Sequence, residues 1–143
     1  MKNILLVVLV FLMVNAANAQ NIIGKWKTID DVSGKPRSVV EIFKKGDGYF
    51  GRVLKTFPKP EEDPDPICEL CPGDRKNQKI IGMEIITNLV KEGDEYIDGE
   101  ILDPENGKTY RSKLWIEDEV LYVRGYVAFF FRTQLWYKYV VED

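Results

Sequence analysis

The chain reads as all-β: an antiparallel up-and-down β-barrel of about eight strands with one long Pro-rich loop. Three observations predict it. Segments of about five to ten residues, rich in β-branched and aromatic side chains, recur between turn signals of hairpin size. No segment holds a helical apolar period over three turns. Two short motifs, Gly24-Lys25-Trp26 and Arg132-Thr133-Gln134-Leu135-Trp136, bracket the strand-bearing region, where closing a barrel lays the first strand beside the last.

Residues 1–19 read as a signal peptide. Lys2 supplies a positive start, Ile4 to Val14 is almost unbroken apolar sequence, and Ala17-Asn18-Ala19 has the small-x-small pattern of a cleavage site. Cleavage after Ala19 leaves residues 20–143 as a single β-barrel domain, a length that one core can stabilise. The apolar run is shorter than the roughly 20 residues of a spanning helix. The expectation is an exported protein, periplasmic or secreted, with no integral membrane segment after processing.

The strands are expected in order. Ile22 to Asp30 ends at the turn Asp31-Val32-Ser33-Gly34, and Ser38 to Lys44 ends at Gly46-Asp47-Gly48. Tyr49 to Lys55 runs into the Pro-rich break, after which Met83 to Val90 turns at Glu92-Gly93-Asp94 into Tyr96 to Leu102. The turn Asp103-Pro104-Glu105-Asn106-Gly107 carries the strongest signal, since Asn and Gly both tolerate positive φ. Lys108 to Glu117, Val120 to Val127 and Phe131 to Val141 complete the set. In the sixth strand Tyr110, Ser112, Leu114 and Ile116 share one face, and Trp115 interrupts the polar face opposite. In the seventh, Leu121, Val123, Gly125 and Val127 oppose Tyr122, Arg124 and Tyr126, and either set can face inward.

Composition narrows function. The formal charge of -3 becomes -4 once Lys2 leaves with residues 1–19, and no long basic run offers a footprint for nucleic acid. The chain has no His. That excludes Ser-His-Asp and Cys-His nucleophiles and removes the commonest catalytic-metal ligand, so no cofactor and no metal site are expected. The balance moves from catalysis towards binding.

Cys68 and Cys71 form a C-x-x-C that can be a redox pair, half a metal site or a local staple. Pro66 before it and Pro72-Gly73 after it leave no room for the helix start that activates a redox thiolate. A disulfide stiffening the loop from Phe57 to Asn77 is expected in an oxidising compartment. That loop, with Glu61, Glu62, Asp63 and Asp65 among Pro58, Pro60, Pro64 and Pro66, is either a recognition lid or a solvated connector. Asp98 and Glu100 share a strand face near Asp103, and a carboxylate-dependent hydrolase of aspartic-peptidase type is the alternative they raise. A structural or interaction protein of the cell envelope is a third class. Ala128-Phe129-Phe130-Phe131 falls at the last hairpin turn, where one or two rings are expected to fold back and plug the barrel end. The favoured function is a binding module for a small apolar or amphiphilic ligand. Tyr110, Arg124, Tyr126, Arg132 and Gln134 are the candidates for its polar end, since guanidinium groups take a carboxylate in a bidentate fork.

Several blocks together carry a family likeness: Gly24-Lys25-Trp26, Asp30-Asp31, Gly34-Lys35, Cys68-Glu69-Leu70-Cys71, Gly82-Met83, Asp103 to Tyr110, Val123-Arg124-Gly125-Tyr126 and Arg132 to Trp136. In these the chain resembles domain-of-unknown-function family 2147, small exported bacterial proteins, over nearly the whole mature length. The resemblance implies a lipocalin-like fold and names no activity. Trp26 and Arg132 also resemble the calycin pair in which a first-strand Trp packs beneath a last-strand Arg. That likeness assigns barrel closure to Gly24, Trp26, Arg132 and Trp136, with a cation–π contact between Trp26 and Arg132.

Overall fold

Eight strands follow one another around a closed barrel in the computed structural model, which describes residues 20–141. They are β1 (Gly24–Ile29), β2 (Pro36–Lys45), β3 (Gly48–Thr56), β4 (Glu84–Glu92), β5 (Glu95–Asp103), β6 (Lys108–Glu117), β7 (Val120–Val127) and β8 (Phe130–Lys138). Every neighbouring pair is antiparallel, and β8 returns to β1. The expected architecture therefore forms, and each strand overlaps its expected segment. The last ends at Lys138 instead of Val141. The expected signal peptide, residues 1–19, lies outside the described residues.

Closure leaves each strand one inner and one outer face. On β7 the inner face is Leu121, Val123, Gly125 and Val127, because Leu121 and Val123 are buried while Tyr122, Arg124 and Tyr126 are only partly covered. The β6 alternation is as expected, with Ser112 and Leu114 buried. On β5 a register shift between Tyr96 and Gly99, around Asp98 with its φ of 58°, keeps Tyr96, Gly99 and Ile101 on the inner face, and Leu102 beside Ile101 is buried as well.

The hairpin turns β2–β3, β4–β5 and β6–β7 lie at one end, the base. There Ile42, Leu89, Tyr96 and Leu121 pack with Trp26, which is 1% exposed and donates its indole N–H to the Ile22 carbonyl at 2.8 Å. Tyr49 sets its ring edgewise on Tyr96, centroids 4.8 Å apart. The turns β1–β2, β5–β6 and β7–β8 and the 57–83 connection gather at the other end, the mouth.

Strand β1 has six residues against nine in β8, and their ladder consists of Trp26↔Lys138 and Lys27↔Tyr137. Above it β8 pairs with β7 alone from Trp136 to Phe130, so this seam splays towards the mouth. The same register overturns the expected contact between Trp26 and Arg132. Arg132 precedes Lys138 by six residues, about 20 Å at the rise of a strand, and so sits at the mouth instead of over the base.

Candidate ligand-binding cavity

A cavity of about 800 Å³ opens at the mouth. Val53, Ile85, Ile101, Leu102 and Val123 make its inner wall, and Trp136, which is buried, also lines it. Thr28 and Ser38 face it with their hydroxyls bonded to each other at 2.7 Å. Thr56 Oγ1, also on the lining, is buried without a hydrogen-bond partner among the described residues, as is Ser112 Oγ on the inner face of β6.

The polar mouth is built by loops. The 57–83 connection contributes Pro58, Glu62, Asp63, Pro66 and Ile80 to the lining, so it is part of the site and not a detached connector. Two devices hold it there. The Arg37 guanidinium on β2 donates through Nη1 to Glu62 Oε2 at 2.6 Å and through Nε to Glu105 Oε1 at 3.0 Å, tying the loop to the β5–β6 turn. This pairing holds the Glu62 carboxyl below its ordinary pKa and raises that of Arg37. The second device is the stretch around the Cys68–Cys71 disulfide, which the structure forms as expected, with both cysteines buried. Its Leu70 carbonyl packs directly on Gly107. The Cys68 N–H bonds to the Gln78 carbonyl at 2.8 Å, and the Ile67↔Lys79 bridge adds a rung.

Of the five residues expected to meet a ligand's polar end, three share the cavity: Tyr110, Arg132 and Gln134. The Tyr110 hydroxyl accepts from Asn106 Nδ2 at 3.0 Å. Arg132 pairs with Asp31, whose Oδ2 also accepts from Gln134 Nε2 at 3.1 Å, and the Trp136 indole donates to Gln134 Oε1 at 3.1 Å. This chain of bonds bridges the splayed seam between the β1–β2 turn and β8. Arg124 and Tyr126 do not join it. They stand on the outer wall, where Arg124 donates to Thr133 Oγ1 at 2.8 Å and lies over the Trp115 and Phe131 rings at 4.9 and 4.2 Å. The physical reason is parity: Arg132 pairs with Gly125 across the ladder and shares its inner face, whereas Arg124 is one residue off.

Of the closure set, Gly24 opens β1, Trp26 and Trp136 are buried, and Arg132 is at the mouth. The aromatic turn also departs from expectation. Phe129, Phe130 and Phe131 are 98%, 79% and 59% exposed and form a lip at the mouth instead of a plug, because Ala128 takes a φ of 51° and the tight turn projects the rings outward. Asp98 and Glu100 face solvent on the outer wall, and Asp98 is 3.6 Å from Arg111, so the pair encloses no shared proton. Asp103 caps its own turn by accepting the Glu105 N–H at 2.9 Å. Sequence reasoning missed Asp31, Arg37, Glu62 and Glu105 as mouth residues. Asp31 and Glu105 stood out only in turns and family blocks and Glu62 only in the acidic loop, while Arg37 carries no local signal for a pairing made across the fold.

Eight antiparallel strands closed in chain order around an end-opening cavity make this a lipocalin-like barrel. The chain belongs to the DUF2147 family, described as an uncharacterized protein conserved in bacteria, whose model matches residues 24–138. Among solved structures it is similar to protein HP1028 from the human pathogen Helicobacter pylori, described as belonging to the lipocalin family. The TM-score is 0.71 at 17% sequence identity, with 84% of each chain covered, a likeness of fold. No curated protein matches the chain. Among the described residues, no helix is long and apolar enough to cross a membrane.

Proposed function

We propose that this protein is a binding module that holds a small apolar or amphiphilic molecule in the barrel, and that it works outside the cytoplasm after losing residues 1–19. The observation that carries the reading is the cavity itself. Its volume of about 800 Å³ falls within the range of small-molecule sites, and it has an apolar wall below a polar, open mouth. An alkyl or ring system fits the wall, and a polar end stays near water at the rim. The buried Thr56 hydroxyl supports this, since an unpaired buried polar group costs about 1–3 kcal/mol that a polar atom of a ligand can offset. Export is supported by the sequence of residues 1–19 and by the Cys68–Cys71 disulfide, a bond that persists in oxidising compartments.

Native mass spectrometry of the protein purified from its own host tests both parts. The expected result is a chain beginning at Gln20 with a small molecule bound, and loss of that molecule in Ile101→Trp, which fills the cavity while circular dichroism stays β-rich. A bare mass together with no uptake of alkyl compounds would overturn the binding role, and a chain retaining residues 1–19 would overturn export.

A further inference from the structure

We propose that the molecule held in this cavity carries a cationic polar end, an alkylammonium or quaternary ammonium group, instead of a carboxylate or phosphate. The inference rests on the binding role above and concerns the same site. The rim's guanidinium groups are already occupied: Arg37 is shared between Glu62 and Glu105, and Arg132 is paired with Asp31. Six carboxylates line the cavity against two guanidinium groups, an excess of four negative charges. Lys35 and Lys59 line an adjoining groove and offset part of this excess without changing its sign. An anionic head group would meet a rim of net negative charge whose two guanidinium groups already face carboxylates.

Asp30, Asp63 and Asp103 make no ion pair among the described residues. Their lone pairs are engaged instead by backbone N–H groups, from Ser33 to Asp30 at 2.7 Å, from Asp65 to Asp63 at 2.9 Å and from Glu105 to Asp103 at 2.9 Å. The Ser33 N–H bond holds the Asp30 carboxyl below its ordinary pKa. Aromatic rings stand at the same opening independently of these acids: Tyr110 and Phe130 on the inner faces of β6 and β8. Ring faces attract a desolvated cation, above all a quaternary ammonium, and repel an anion. An apolar wall, an acidic rim and aromatic faces at the boundary thus match a chain with a positive end.

The test compares decyltrimethylammonium, decylphosphocholine, 1-decanol and decanoate, each below its aggregation limit, by calorimetric titration of the mature protein at neutral pH and at low and high salt. The expected result is that decyltrimethylammonium binds at least about tenfold more tightly than decanoate, with decanol between, and that salt narrows the gap. Phosphocholine binding equal to that of the trimethylammonium compound assigns the cation to a lipid head group, and weaker binding assigns it to a free alkylammonium. The double variant Asp63→Asn with Glu105→Gln, isosteric and near the surface, should reduce the preference for decyltrimethylammonium over decanoate several-fold, and an unchanged ratio would overturn the role of the acidic rim. Decanoate binding as tightly as decyltrimethylammonium, with decanol also bound, overturns the cationic preference alone. Failure of all four to bind overturns the binding role with it.

Discussion

Gly107 meets two demands that no other residue type meets. Its φ is 70°, and a Cβ there would fall on the Leu70 carbonyl of the disulfide loop. Gly107→Ala should therefore cost about 2–4 kcal/mol in urea unfolding, combining a strained backbone with overpacking. Gly46, with φ 61° and open space around it, supplies the control: Gly46→Ala should cost only about 1–2 kcal/mol. Equal costs would contradict the docking of that loop on the β5–β6 turn. The Asn106-Gly107 turn was legible because its chemistry is local, but the Leu70 contact was not, since 37 positions separate the partners along the chain. Trp26 and Arg132 make the same point. Trp26→Ala, emptying a fully buried site, should cost about 3–5 kcal/mol. Arg132→Ala removes a 66% exposed side chain from a surface ion pair and should cost less than about 1 kcal/mol. A closure role for Arg132 would require the two losses to be comparable and coupled in the double variant.

At the scale of elements, the strands were legible because alternation and turn residues are both short-range signals, and all eight expected segments are present. The face of β7 was not, because Tyr and Arg cover a surface as readily as they line a polar cavity. Outside, they stack: Trp115 and Tyr122 lie 5.3 Å apart, with Arg124 over the Trp115 ring. The 57–83 connection is the element whose behaviour should respond to pH. Glu62 is held below its ordinary value, first by its hydrogen bond from Arg37 and then by the Lys59 N–H at 3.0 Å. Because the folded-state value is the lower one, the contribution of the pair is present above the unfolded value near 4.5 and is lost as pH falls through the folded value. The Lys59 amide shift in an NMR titration should move with a midpoint below 4.5, and a midpoint at or above it would contradict the latch. Reducing Cys68–Cys71 should lower global stability by only about 2 kcal/mol, as expected for so short a closed loop, while hydrogen exchange rises locally at Cys68, Asn77 and Ile80. Equal rises across the barrel strands would mean that the staple supports the whole fold.

At the scale of the molecule, the barrel divides its length between two tasks. The base is filled by Trp26, Leu89, Tyr96 and Leu121, and the mouth is left open between loops tied together by charge pairs. That division was legible in the sequence only as a general architecture. Whether eight strands enclose side chains or a cavity depends on register and on where each inner residue sits along the axis, as the pairing of Trp26 with Lys138 shows. The splayed β1–β8 seam and the exposed Phe129 to Phe131 lip both lie at the open end, so the parts least fixed by backbone pairing border the cavity.

The central claim, that this cavity takes up an apolar chain, is tested most directly by methyl NMR of Ile, Leu and Val groups during titration with 1-decanol, whose neutral head leaves the question of charge aside. Shifts are expected at Ile85, Ile101, Leu102 and Val123, which line the cavity, with Leu135 on the outer wall unmoved. No shifts, or shifts confined to Leu135 and the outer face, would contradict it.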